Sequence, residues 1–216
     1  MKQFNFTYYD IRKATNDIPN IKEKLDTDPR QAILHIYVSG ISKKQSEILL
    51  NTIDKSLHNV CRIGISEFPA RENKKISCIN INLILAEKSY FEQFYVMCSR
   101  GEERNIANDF AKSLGNIQSI KAFEICSANH LTDTTEFIEA IGAAYPDVPI
   151  FGSLSKPARL ANNTSAKLED SFFIGDKIYT EGYSIVVYYG ENLNVRLSKY
   201  PPAKPGALPM NRSKRS

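Results

Sequence analysis

The chain has 216 residues, of which 42% are hydrophobic and 24% charged, so it can bury a core and does not fall in the disordered or fibrous classes. Its net charge is +4, but residues 199–216 hold five basic residues and no acidic one, and the near-neutral remainder gives no reason to expect nucleic acid as a partner. Apolar runs stay far below the roughly 20 residues of a spanning helix, and the first residues carry no secretory pattern, so we expect no membrane span and a cytoplasmic location.

The first third of the chain predicts two strands joined by a helix. After a polar region with a short helix expected at 18–25, residues 32–38 are apolar at odd and even positions, as in a strand covered on both faces. Ser42 and Gln45 have capping-box spacing before a helix whose apolar stripe is Leu49, Ile53 and Leu57. Residues 60–65 predict the next strand, so we expect a parallel pair with a right-handed crossover.

The middle of the chain predicts two more strands and a helix. Residues 77–85 alternate in polarity and residues 91–98 are apolar and aromatic, so we expect these two strands to pair as an antiparallel hairpin. Ser99 and Glu102 again have capping-box spacing, and Gly115 is suited to end the helix that follows.

The strand–helix–strand pattern then recurs at 122–152, with Asp133 opening the helix. The units 32–65 and 122–152 resemble a loose internal repeat, although no motif repeats residue by residue. Later β segments are expected at 171–174, 177–179, 183–189 and 193–197, with Gly175-Asp176 as a hairpin turn. We therefore expect an α/β fold with mixed parallel and antiparallel sheets flanked by helices, and antiparallel strands dominant in the C-terminal third.

Two regions are expected in the chain: a domain over residues 1–198 and a basic, proline-rich tail over residues 199–216. The tail has too little apolar sequence to form a core element and should be disordered. Whether it binds a partner or is simply an unstructured end stays open.

The sequence contains no catalytic signature that would identify an enzyme. Phosphate-binding glycine loops and nucleophile elbows are absent, and the four cysteines form no zinc motif. We expect the cysteines to be small buried side chains, and His35 to be a satisfied group inside a strand. Two weaker hypotheses are a hydrolase that uses Cys126, near His130 in sequence, or one that uses Ser153 in a Ser-x-x-Lys pattern.

Small or polar residues follow several of the expected strands, which favours a small-molecule pocket. In open α/β sheets, ligands bind beyond the carboxyl ends of parallel strands, where small residues leave room. That these residues only form turns is an equal alternative. The candidate binding residues are Ser39, Gly40, Gly64, Ser66, Asn129, Gly152 and Ser153.

The chain resembles the FIST N-terminal domain, a bacterial sensory input module, in the order and spacing of three segments, 33–66, 148–153 and 172–182. The resemblance covers roughly residues 30–198. Pro69 stands where the family has a second glycine, and Ser153 and Lys156 stand where it has glycine and aspartate. The resemblance implies a non-catalytic sensor of a small metabolite such as an amino acid, coupled to a signalling output protein or domain. The chain would then be a truncated member without the C-terminal and output domains.

The cofactor is unknown. One branch of this family binds haem as a gas sensor, and His130 is the candidate axial ligand for that alternative.

Overall fold

Two β-sheets pack face to face, and two α-helices cover the outer face of each sheet. The computed structural model describes residues 1–67, 77–115, 119–128, 133–155 and 172–190, together with Leu193 and Val195. One cluster of buried apolar side chains lies between each sheet and its helices, and a third lies between the two sheets. The expected α/β class with mixed, helix-flanked sheets is confirmed.

The first half of the chain forms one sheet with its two helices. Its elements are β1 (Lys2–Tyr8), α1 (Ile11–Glu23), β2 (Ala32–Ser39), α2 (Lys43–Ser56), β3 (Cys61–Glu67) and β4 (Cys78–Leu85). The predicted capping box of α2 is confirmed: Ser42 Oγ accepts the N–H of Gln45, and the Gln45 side chain accepts the N–H of Ser42. β2 is apolar at both parities because Ile33 faces the other sheet while Leu34 faces the helices.

The second half forms the other sheet with its two helices, and it also adds two short strands to the edge of the first sheet. Its elements are β5 (Tyr90–Val96), α3 (Glu103–Leu114), β6 (Ile120–Ala128), α4 (Thr134–Ala144), β7 (Ile150–Ser155), β8 (Phe173–Ile174), β9 (Ile178–Tyr179) and β10 (Tyr183–Tyr189). Asp133 caps α4 as expected by accepting the N–H of Thr135, and Gly115, at a φ of 64°, follows α3. The helices in this part and in the first half are each too short or too polar to cross a bilayer, as far as the chain is described.

Both sheets share one strand order and one set of strand directions. The first has the order β1-β4-β2-β3, continued by β8 and β9, and the second has the order β5-β10-β6-β7. In each set of four, the last pair is parallel, as expected, and the other neighbours are antiparallel. The β8–β9 hairpin is an insertion before the last strand of the second half. The repeat expected over 32–65 and 122–152 therefore extends to the whole of each half.

One row of side chains across each sheet is identical in the two halves. Phe6 pairs with Ile81, Ile81 with Ile36, and Ile36 with Gly64. The equivalent row in the second sheet is Phe94, Ile185, Ile125 and Gly152. Both glycines are required: a Cβ would lie 1.7 Å from the Ile36 carbonyl oxygen at Gly64, and 1.8 Å from the Ile125 carbonyl oxygen at Gly152. This register relates positions in the four strands of one half to positions in the four strands of the other.

Several expectations are wrong. The strands β4 and β5 form no hairpin, because β4 pairs with β1 and β2 while β5 pairs with β10 in the other sheet. The short turn between them instead carries the chain from one sheet to the other. Ser99 does not cap α3, which begins at Glu103 without a side-chain cap. β1 lies in the region treated as polar, and the helix expected at 18–25 is the end of the longer α1. The tail 199–216 and most of 193–197 lie outside the described residues.

Candidate functional site

The carboxyl ends of β3 and β7 meet between the two sheets, as the pocket hypothesis requires. The hydroxyl oxygens of Ser66 and Ser155 lie 3.1 Å apart, and Ser155 donates to the Ser66 carbonyl at 2.8 Å. The Ser66 hydroxyl also donates to the Phe172 carbonyl at 2.9 Å and accepts the Phe172 N–H at 3.0 Å. Both serines are buried. The strand ends therefore converge, but the hydroxyls at this point join parts of the chain to one another and offer little to a ligand.

Cys126 lies beside this junction and is not placed to act as a nucleophile. Its side chain is 1% exposed. Burial raises the pKa of the Cys126 thiol, the Glu124 carboxylate raises it further, and backbone groups of Ser153 and Gly64 offset the rise only in part. An enclosed thiol with a raised pKa disfavours the thiolate that nucleophilic attack requires, which argues against the Cys126 hydrolase hypothesis. The expectation of buried thiols is confirmed for Cys61, Cys98 and Cys126, while Cys78 is half-buried.

The other predicted binding residues lie at different distances from this junction. Ser39 ends β2 in register with Glu67 at the end of β3, and the Gly40 carbonyl accepts a hydrogen bond from the Ser77 hydroxyl at 3.3 Å. Gly152 is exposed on β7, the last strand of its sheet, and Ser153 is half-buried beside it. Asn129, together with His130 and Lys156 from the alternative hypotheses, lies outside the described residues. Gly64 and Ser153 are thus brought together at Cys126, and Ser66 lies against Ser155 two residues further along β7.

A buried polar cluster that the sequence analysis missed joins the two sheets. The Glu124 carboxylate on β6 lies 2.8 Å from His35 Nε2 on β2 and accepts the Tyr188 hydroxyl of β10 at 2.5 Å. The side chains of His35 and Glu124 are 12% and 4% exposed. Burial first, and then the Glu124 charge, raises the pKa of Tyr188 far above its ordinary value, so this hydroxyl remains a donor.

The cluster lies where the two halves of the repeat meet. His35 immediately precedes Ile36, and Glu124 immediately precedes Ile125, so His35 and Glu124 occupy equivalent positions. Because the two sheets pack against each other through the same face and these equivalent residues are in contact, the halves are related by an approximate two-fold axis through this pair. One signal was available in the sequence: Glu124 is a charged residue inside an apolar run that ends in Ala128. A charge in a strand buried on both faces needs a partner.

Polar side chains cover the part of the first sheet next to His35. Gln3, Asn5 and Thr7 of β1 and Asn80 and Asn82 of β4 all lie on the face that points away from the helices; this set is called the amide face below. In the sheet register, Asn5, Asn82 and His35 form one row across three strands. Thr7, Asn80 and Tyr37 form the next row, in which Thr7 Oγ1 donates to Asn80 Oδ1 at 2.9 Å. The row of His35 therefore runs from an exposed surface to the buried carboxylate.

A metal centre finds no support in the described residues, where no group of three or more His, Cys, Asp or Glu side chains could hold an ion. The amide face consists of neutral groups, namely hydroxyls and carboxamides. Such groups suit hydrogen bonding to a small molecule.

Comparisons with known proteins add no identity to this geometry. No family model matches the chain, and no curated protein matches it.

Proposed function

We propose that this chain is a non-catalytic sensory module that binds a small metabolite and passes the signal to an output protein or domain, as the resemblance to FIST N-terminal domains implies. The observation that carries the proposal is the His35–Glu124–Tyr188 cluster. It connects a solvent-exposed polar face to the contact between the two halves of the molecule.

The cluster gives a physical route from ligand to response. A ligand can shift a conformational equilibrium only through contacts that differ between the two states. A molecule bound beside His35 would change the surroundings of a ring whose Nε2 is hydrogen-bonded to Glu124 on the opposite sheet. Since the cluster is a polar contact within a mainly apolar layer, a change there alters how the two sheets are held together.

A thermal-shift screen of the full chain tests the proposal. The panel contains amino acids, sugars, nucleosides and small organic acids. A compound that binds the native state at 100 times its Kd adds about 2.7 kcal/mol to the free energy of unfolding. For a domain of this size that is a rise in Tm of roughly 5–10 °C. A folded protein whose Tm does not respond to any compound contradicts the proposal.

A pair of matched variants tests the route. Glu124→Gln removes the charge from the buried cluster, whereas Glu139→Gln makes the same change at a side chain that is 60% exposed. We expect the ligand-induced rise in Tm to fall in Glu124→Gln and to be unchanged in Glu139→Gln. Equal responses in the two variants would show that binding does not act through the cluster.

A further inference from the structure

The residue types of the amide face are unusual for a β-sheet. Three of its five residues are asparagine, which is depleted in strands, where threonine and aromatic residues are favoured. The opposite face of β4 consists of ordinary core residues, Ile79, Ile81, Leu83 and Leu85. None of the five side chains carries a charge, although 24% of the chain is charged. Residues that contradict local propensity are expected where side chains have a task beyond folding.

The equivalent face in the second half is a contact surface. There the β8–β9 hairpin covers the sheet: Tyr179 stacks on Tyr95 with ring centroids 3.8 Å apart, and Gly175 packs against Ser184. By the register of the repeat, the equivalent positions are Asn5 and Gln93, Thr7 and Tyr95, and Asn80 and Ser184. In the first half, the β1 residues of this face are exposed and the two β4 residues are half-buried. The repeat therefore presents the same face twice, once covered by the hairpin and once accessible.

The accessible face has the dimensions of a small ligand. Three strands contribute to its two main rows, so it extends about 10 Å across the strands and about 7 Å between the rows. Carboxamide and hydroxyl groups are therefore spaced at about 5 Å across each row. That spacing allows one or two sugar-sized rings to contact several of them at once.

His35 supplies a fixed group at the inner end of one row. Its Nε2 is held 2.8 Å from Glu124, which sets the orientation of the ring. Within the described part of the chain, no hydrogen bond is made to its Nδ1. When Nε2 carries the proton that it shares with Glu124, Nδ1 is an acceptor for a ligand hydroxyl.

We infer that the amide face, with His35, binds a neutral, hydroxyl-rich small molecule such as a mono- or disaccharide. Carboxamides donate and accept hydrogen bonds, as ligand hydroxyls do, so each side satisfies the other. A carboxylate or ammonium group of a ligand would meet no opposite charge on the face, so a charge gives a ligand no advantage there. The inference rests on the proposed function and replaces the amino acid expected from the family resemblance by a sugar-like ligand.

The test is a titration of the ¹⁵N-labelled full chain with glucose, galactose, maltose and myo-inositol, followed by NMR. Glucuronate and glucosamine serve as charged counterparts. We expect saturable shifts in the side-chain amide signals of Asn5, Asn80 and Asn82 with at least one neutral compound. Its affinity should fall at least tenfold in Asn5→Asp and Asn82→Asp, which place a charge on the face. The control Asn51→Asp makes the same change on the exposed side of α2 and should leave the affinity within twofold.

The outcomes separate this inference from the proposed function. Since Asn82 is half-buried, its variant is first checked for folding by circular dichroism, and Asn5→Asp on the exposed β1 decides the matter if Asn82→Asp is unfolded. If a metabolite raises the Tm but shifts no signal of the amide face, the sensory function stands and the inference is wrong. Binding of a neutral sugar that survives both aspartate substitutions also overturns it, as does preferential binding of a charged counterpart. Silence in both experiments overturns both proposals.

Discussion

Gly64→Ala should be among the most damaging single-methyl changes that this chain can undergo. The Cβ of alanine would lie 1.7 Å from the Ile36 carbonyl oxygen and 2.6 Å from its carbon. Both are backbone atoms of the neighbouring strand, so no side-chain rotation relieves the overlap. β3 has to move away from β2, with which it forms a ladder of seven residue pairs.

The cost follows from the hydrogen bonds that such a movement opens. About two buried backbone hydrogen bonds beside Gly64 would be lost, and each unsatisfied buried group costs about 1–3 kcal/mol. We therefore expect the free energy of unfolding to fall by about 3–5 kcal/mol, a large share of the 5–15 kcal/mol of a typical domain. Gly152→Ala should behave alike, because its Cβ would lie 1.8 Å from the Ile125 carbonyl oxygen and its φ is 147°.

Urea unfolding followed by far-UV circular dichroism measures the change, since the chain has no tryptophan. The matched control is Gly142→Ala inside α4, where the nearest atom to a Cβ is Ile150 Cδ1 at 3.8 Å. Replacing a glycine inside a helix by alanine, where the added methyl group meets no clash, should raise the free energy of unfolding by about 0.5–1 kcal/mol. A Gly64→Ala protein within about 1 kcal/mol of the wild type would refute the reasoning from the strand contact.

Three further predictions concern the junction, the helix starts and the thiols. Ser66→Ala removes the hydroxyl that donates to the Phe172 carbonyl and accepts the Phe172 N–H. The free energy of unfolding measured in urea should fall by about 1–3 kcal/mol. An unchanged urea midpoint would contradict this prediction. The Glu103 carboxylate accepts two backbone N–H groups, at 2.7 and 2.8 Å, and these hydrogen bonds lower its pKa. The stability that they contribute is therefore present above the ordinary carboxyl pKa and is lost as the pH falls through the lowered pKa. Glu103→Gln should flatten the acid side of the plot of stability against pH. Thiol labelling should reach half-buried Cys78 first, and fast labelling of Cys126 in the folded protein would be inconsistent with its burial.

Local signals were sufficient to predict most elements. The capping box at Ser42 and Gln45 and the cap at Asp133 depend only on residues within a few positions, and both are present as expected. β1 had a local signal too, since Phe4, Phe6 and Tyr8 alternate with polar residues and pack on the helix-side core. The pairing of β4 failed because neighbouring strands joined by a short turn usually pair, and nothing local indicates that this turn crosses between two sheets.

The candidate site was harder to predict, because it depends on contacts between distant parts of the chain. Ser66 and Ser155 are 89 residues apart, as are His35 and Glu124, and in each pair both members come from different sheets. The identical rows that reveal the repeat consist of one residue from each of four strands, so no continuous stretch of sequence contains them. The small residues after strands favour a small-molecule pocket; β3 and β7 do end close together, but the buried serines at that point do not support a pocket there.

The meeting of His35 and Glu124 on the approximate axis has a consequence for assembly. If two identical half-length polypeptides associated in this way, the residue at the position on the axis would contact the same residue of the other polypeptide. Two carboxylates at that distance could not both ionise, and two imidazoles could not both be protonated without repulsion. Joining the halves covalently removes this restriction, so an acid can face a base at the centre. An isolated half, with either residue, would lack the complementary group that its surface is shaped to meet.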